Sequence, residues 1–272
     1  MNSCIELKNY YNVAGGKLTP YAIDCPTGNK EKWRRPAVIV VPGGAYEHVS
    51  KREGAPVACR FLAQGFQAFV LEYLVAPDGV RYPEQLHELA SAVDFIKSHA
   101  DQFHINKDEI FIVGFSAGGH LTANLAVDYC AVPDLVGEKL DCKVTAVGLG
   151  YPVISARLGH TKSHDNLLSG FADVEREAVA EYLNLDSAVS SKTVPTFIWT
   201  TAEDKSVPAI NSIMFALALA EKGIKYELHV YPEGDHGSST CDLEVNDRVY
   251  AKNAQWIDNC ISFFRLFTAE KY

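Results

Sequence analysis

The segment of this sequence best suited to nucleophilic chemistry is Gly114-Phe115-Ser116-Ala117-Gly118, a serine framed by glycines two places to either side. A serine hydroxyl attacks a carbonyl when a sharp turn exposes it, a base lies within reach and N–H donors face the developing oxyanion. The β-branched run Ile110 to Val113 precedes the motif, and a small-residue helical pattern follows it through Val127. The serine therefore falls on a strand-to-helix turn, where glycines let strand and helix approach without a Cβ clash. Ser91, Ser98, Ser238 and Ser239 lack this frame.

A nucleophile of this kind needs an imidazole and a carboxylate to orient it. His236 stands between Gly234 and Gly237 in PEGDHG, late in the chain and after a strand pattern, which suits a loop that carries a base. The other eight histidines lack this context, and His120, four residues after Ser116, is better placed to pack or cap. Glu203 and Asp204 both follow the run TFIWT and compete as the orienting acid, a helix cap being the ordinary reading of either.

Oxyanion donors are expected from Pro42-Gly43-Gly44-Ala45-Tyr46, directly after the run AVIVV at 37–41, together with the N–H of Ala117. A phosphate loop is the rival reading, but the loop has no Lys-Ser/Thr pair, and no dinucleotide glycine pattern follows the strand. His160, His164 and Asp165 have a spacing that could bind zinc on a helix, but Gly159 and polar neighbours argue against one. No metal and no cofactor are expected.

These residues must be positioned by elements that alternate along the chain. Strand patterns occur at Ala37–Val41, Ala68–Leu71, Ile110–Val113, Val144–Leu149, Thr196–Thr200 and Tyr226–Tyr231, after a short region fit for edge strands. Helical patterns open after Pro83, after Ser116, over Pro208–Glu221 with Gly223 as its stop, and over Val249–Phe267. The alternation predicts an α/β architecture with a mostly parallel central sheet covered by helices on both faces. In that arrangement Ser116, Asp204 and His236 all follow strands, at the edge where such sheets bind ligands. Residues 151–193 are polar and irregular, so the expectation is one domain over 1–272 with an insertion or small cap there.

Composition bounds the remaining choices. The chain has 272 residues, 47% hydrophobic and 22% charged, with a formal charge of −9. That balance fits a globular enzyme and argues against nucleic acid, the one dense basic run being Lys30, Lys32, Arg34 and Arg35. Neither a signal peptide nor a membrane span is recognisable, and seven scattered cysteines favour reduced thiols, so a cytoplasmic location without a membrane partner is expected. A homo-oligomer is compatible with the sequence, which marks no interface.

GFSAGGH, PGGAY and the pair TAED and PEGDHG together resemble the bacterial α/β-hydrolase esterases, within them the carbohydrate or acetylxylan esterase-like group. The likeness runs from about residue 36 to 267 and includes SKREG at 50–54, QGF at 64–66, LEY at 71–73 and Tyr82-Pro83. It implies the α/β-hydrolase fold, with Ser116 as nucleophile, His236 as base and Asp204, rather than Glu203, as orienting acid. PGGAY then takes the place of the HGGG motif of related esterases, with Pro42 and Ala45 as departures and backbone donors at Gly44, Ala45 and Ala117. Lys205 and Ser238 make the surroundings more polar than a lipid substrate would favour. The expected activity is hydrolysis of short-chain carboxylic esters, especially acetyl groups on small carbohydrates or other polar alcohols. Tyr46 and Arg52 are candidates for the substrate rim, packing and an ion pair being their ordinary alternatives. A serine peptidase and a non-catalytic binding protein of the same fold are the competing functions.

Overall fold

The computed structural model describes residues 3–26, 33–243 and 247–269. Lys30 and Lys32 of the basic run lie outside them. In chain order the elements are β1 (Ile5–Glu6), β2 (Lys17–Tyr21), β3 (Arg35–Val41), α1 (Ala55–Ala63), β4 (Gln67–Glu72), α2 (Glu84–Ser98), β5 (Ile105–Phe115) and α3 (Ser116–Asp128). There follow α4 (Val132–Val136), β6 (Ala146–Gly150), α5 (Lys162–Leu167), α6 (Asp173–Tyr182), β7 (Thr196–Thr201), α7 (Ile210–Glu221), β8 (Tyr226–Tyr231) and α8 (Trp256–Arg265).

The strands form one sheet in the order β1-β2-β4-β3-β5-β6-β7-β8. β2 pairs antiparallel with β1 and β4, and the pairs from β4 to β8 are parallel. This is the mostly parallel sheet of the α/β-hydrolase fold. The strands are apolar on both sides because both faces are covered. In β3, Ala37, Ile39 and Val41 join the apolar cluster under α2, α3 and α7, while Val38 and Val40 join the one under α1 and α8. Each fully buried Val, Ile, Leu or Phe contributes about 1.5–3 kcal/mol relative to exposure.

One element differs from its sequence pattern. The last helix begins at Trp256, after a single turn at Asn253–Gln255, rather than at Val249. The Tyr250 N–H bonds the Cys241 carbonyl at 2.9 Å and its hydroxyl bonds Asp235 Oδ2 at 2.8 Å, so that stretch is pinned to the loop of His236. Residues 151–193 carry α5 and α6, and Leu167, Leu168, Leu183 and Leu185 enter the same cluster as α3. Among the described residues no helix is long and apolar enough to cross a membrane.

Candidate active site

Strand β5 runs directly into α3, and Ser116 sits at the junction with φ of 52°. A non-glycine residue there is strained, and the strain turns its side chain out of the strand-to-helix corner. The flanking glycines are steric necessities. A Cβ on Gly114 would lie 2.2 Å from Thr122 Oγ1, and one on Gly118 would lie 2.3 Å from the carbonyl oxygens of Val41 and Pro42. Elbow, β3 and α3 thus meet at backbone distance.

His236 brings its Nε2 to 2.8 Å from Ser116 Oγ, and its Nδ1 lies 2.6 Å from Asp204 Oδ2. A carboxylate only accepts, so Nδ1 carries the proton and Nε2 is left to accept from the serine hydroxyl. The Asp204 side chain is fully buried, and its Oδ1 accepts the N–H groups of Ser206 and Val207, each at 2.9 Å. Its orientation is therefore fixed by its own turn. Glu203 is exposed and its Oε2 accepts the Gly234 N–H at 3.3 Å, at the base of the His236 loop.

The loop after β3 turns sharply, with φ of 126° at Gly44, 55° at Ala45 and 56° at Tyr46. A Cβ on Gly44 would stand 1.9 Å from the His48 carbonyl oxygen, so that position requires glycine. The loop is held from below by Tyr73, whose hydroxyl donates to Pro42 O at 2.8 Å, and from above by Asn166 of α5, whose amide donates to Ala45 O at 2.7 Å. The Gly43 N–H is occupied by Glu53 Oε2 at 2.8 Å. No acceptor among the described residues takes the N–H of Gly44 or Ala45, and the Ala117 N–H is in the first turn of α3, where helical donors have no partner within the helix.

A cavity of about 230 Å³ opens at this point, lined among others by Gly44, Ala45, Arg52, Ser116, His160 and His236. A hollow of about 430 Å³ bounded by Trp33, Arg35, Phe66 and Arg265 contains none of the groups just described. Of the two rim candidates, Arg52 lines the smaller cavity, whereas Tyr46 is 1% exposed and does not reach it. The Tyr46 hydroxyl is 3.0 Å from His120 Nδ1, and its ring packs against Tyr73 and His120, so burial removes it from the rim. His120 Nε2 lies 3.2 Å from Leu183 O, and burial pushes its pKa down to about 3, keeping the ring neutral. His164 packs edge-on against His120 with a ring-centre distance of 4.8 Å, while His160 bonds Ser206 O and Ser163 Oγ at the cavity. Those two histidines therefore face different neighbours. Burial lowers the pKa of each.

Residues beyond the sequence expectations complete the site. Glu53, inside the SKREG segment, and Tyr151, the first residue after β6, join hands at 2.7 Å beneath it. The available signal for Tyr151 was its place at the carboxyl end of a parallel strand. For Asn166, which supports Ala45 from α5, no local pattern pointed to the role.

The sequence profile of the family described as BD-FAE matches residues 23–219. An endo-1,4-beta-xylanase B of Butyrivibrio fibrisolvens is 36% identical over 78% of this chain and 34% of its own length. An acetylxylan esterase of Xylanibacter ruminicola is 29% identical over 74% of this chain and 40% of its own length. The chain thus spans roughly a third to two-fifths of these curated relatives. Among solved structures, an acetyl ester-xyloside bifunctional hydrolase from Caldicellulosiruptor lactoaceticus superposes with a TM-score of 0.82 at 33% identity, covering 97% of this chain and 96% of that one. A carboxylesterase from Lactobacillus plantarum superposes with a TM-score of 0.84 at 25% identity, covering 99% of this chain and 100% of that one.

Proposed function

The chain belongs to the BD-FAE family of bacterial α/β-hydrolase esterases, and from that premise we propose that it hydrolyses short-chain carboxylic esters of polar alcohols, acetylated carbohydrates foremost. The observation that carries this reading is the chain of contacts from Ser116 through His236 to Asp204, 2.8 and 2.6 Å long, beside the unpaired N–H groups of Gly44 and Ala45.

In this mechanism the Ser116 oxygen attacks the ester carbonyl as its proton passes to His236 Nε2. Asp204 holds the imidazole in the required tautomer and stabilises the imidazolium. The N–H groups of Gly44, Ala45 and Ala117 receive the oxyanion, each such donor lowering the barrier by about 3–4 kcal/mol. His236 returns the proton to the leaving alcohol, and the acyl group remains on Ser116. Water, deprotonated by the same imidazole, then releases the acid through a second tetrahedral intermediate.

The substrate class follows from size and polarity. A cavity of about 230 Å³, lined by Gly44, Ala45 and Gly237 and by Arg52, Lys162, His160 and Ser206 among others, suits a short acyl group and a hydroxyl-rich alcohol better than a fatty chain. The names of the relatives, acetylxylan esterase and acetyl ester-xyloside hydrolase, point the same way. Residues 151–193 serve as a small cap on a single domain in this reading, α5 reaching the oxyanion loop through Asn166 and through Lys162, whose Nζ is 2.5 Å from Glu47. Seven cysteines without a pairing pattern support a reducing, cytoplasmic setting. No observation favours a peptidase.

The test is a kcat/KM series from acetyl to octanoyl esters, with acetylated xylo-oligosaccharides alongside, on the native chain and on Ser116→Ala. Acetyl preference, sugar deacetylation and an inactive Ser116→Ala are expected. An octanoyl preference without sugar deacetylation rejects the substrate class, and a fully active Ser116→Ala rejects the mechanism.

A further inference from the structure

Glu53 is a carboxylate only 2% exposed, directly under the oxyanion loop. Burying a carboxylate is costly unless strong donors meet it, and an apolar residue would fill the same space at less cost. Its two oxygens reach two different walls of the site. Oε2 accepts the Gly43 N–H at 2.8 Å, one residue before the proposed oxyanion donors, and Oε1 accepts the Tyr151 hydroxyl at 2.7 Å.

Tyr151 carries the connection further. Its hydroxyl oxygen accepts the Ser239 N–H at 3.0 Å, three residues past His236, and its ring meets the His236 ring edge-on with centres 5.0 Å apart. Ser239 Oγ returns to the Arg52 carbonyl at 2.7 Å, beside Glu53 itself. A closed ring of hydrogen bonds therefore joins the Glu53 segment, the end of β6 and the loop of the base.

Backbone strain gathers around this ring. Among the described residues the non-glycine residues with positive φ are Ala45, Tyr46, Ser116, Tyr151, Ser239, Cys241 and His104, and all but His104 belong to the elbow or to the loops that the ring joins. Strained backbone persists only where neighbouring contacts over-determine it. The Gly43 peptide has little freedom besides, since a Cβ there would lie 2.8 Å from Ser116 Cβ and 3.0 Å from Glu53 Oε2.

We propose that Glu53 is a positioning residue for the oxyanion hole: its carboxylate fixes the Gly43 peptide and, through Tyr151, ties the oxyanion loop to the loop of His236. The inference rests on the proposed roles of Ser116, His236 and the Gly44 and Ala45 N–H groups. A carboxylate is required because two donors, the Gly43 N–H and the Tyr151 O–H, arrive at once. An amide has one acceptor oxygen, so in either orientation a glutamine leaves one of the two donors without its present acceptor. Charge-assisted bonds are also the shorter and stiffer kind.

The experiment compares the native chain with Glu53→Gln, Tyr151→Phe and the double variant, on an acetyl ester. Two inhibitors are included: a short alkylboronic acid, which forms a tetrahedral anion on a serine, and the matching unreactive amide. For Glu53→Gln, kcat is expected to fall about 10- to 100-fold with KM within about threefold, as for a contact made chiefly in the transition state. Boronate affinity should fall with kcat while amide affinity holds. Tyr151→Phe should show a smaller loss in the same direction, and the double variant should lose less than the product of the two. A Glu53→Gln enzyme with kcat within twofold of native overturns the proposal, and so does equal weakening of boronate and amide, which a merely structural role would give. Should Glu53→Gln fail to fold, Tyr151→Phe decides alone, and unchanged kcat and boronate affinity overturn the link. An inactive Ser116→Ala beside a normal Glu53→Gln removes this inference only; an active Ser116→Ala removes the reading beneath it.

Discussion

Gly118 and Pro42 meet with no room for a side chain between them: a Cβ on Gly118 would stand 2.3 Å from the Pro42 carbonyl oxygen. That carbonyl also accepts the Tyr73 hydroxyl at 2.8 Å, so the loop after β3 cannot yield freely. Gly118→Ala is expected to lower stability by about 1–3 kcal/mol, the usual cost of overpacking. Activity should fall further than stability, because the displaced backbone carries the proposed oxyanion donors. Denaturant melts and kcat measured on the folded fraction separate the two effects, and unchanged kcat would contradict the expectation.

Asp204 and Glu203 are adjacent in sequence and differ in surroundings. Asp204→Asn preserves the shape and the bonds from Ser206 and Val207, but can leave an N–H facing His236 Nδ1 and so favours the wrong tautomer. If the proposed roles hold, a drop in kcat on the order of 10⁴ is expected, the size seen when the carboxylate of a serine triad is replaced by an amide. Glu203→Gln should stay within a few-fold of native, since among the described residues its carboxylate hydrogen-bonds only the Gly234 N–H. Reversal of the two results would make Glu203 the orienting acid.

Tyr46 and Arg52 should likewise separate. Tyr46→Phe removes the hydroxyl that meets His120 Nδ1 and leaves that buried nitrogen unpaired, at a cost of about 1–3 kcal/mol in stability. KM for acetylated xylo-oligosaccharides should not change. Arg52→Ala removes an exposed group at the cavity, so stability should stay within about 0.5 kcal/mol while KM rises severalfold. A KM effect from Tyr46→Phe and none from Arg52→Ala would reverse the assignment.

His120 makes stability depend on pH on the acid side. Burial first, and His164 nearby second, push its pKa from 6.5 to about 3. Between those values the unfolded chain binds the proton and the folded chain does not, so stability is fully present above about pH 6.5 and falls as the medium is acidified towards pH 3. The melting temperature of the native chain should decline over that interval more steeply than that of His120→Gln. Parallel curves for the two proteins would refute a role for this ring.

Glu88 acts in the opposite sense. Burial raises its pKa from 4.5 to about 8, its Oε2 accepts the Leu74 N–H at 2.8 Å, and its Oε1 has no partner among the described residues. The folded chain holds the proton that the unfolded chain releases, so this contribution is whole below about pH 4.5 and is lost as pH rises to about 8. Glu88→Gln should therefore gain stability relative to the native chain between those values. A difference independent of pH, read from urea midpoints at pH 5 and pH 8, would contradict it.

The sequence by itself determined what depends on a few neighbouring residues. Strand runs, the turn at Ser116 with its glycine frame and the glycine after α7 follow from local sterics and apolar period, and the structure has these elements within a few positions. The family resemblance also selected Asp204, the carboxylate that the structure places beside His236. What only the tertiary structure decided depends on residues distant in the chain. The helical pattern at Val249 gives way because Tyr250 is held by Cys241 and Asp235. Tyr46 looks free to stack on a sugar until His120, 74 positions away, claims its hydroxyl. Glu53 is an ordinary surface residue type, and only the fold sets it against Tyr151, 98 positions later, and against the Gly43 peptide. Local patterns report which way the backbone prefers to run; which side a polar group faces, and what satisfies it once buried, is settled by the packing of elements that the sequence separates.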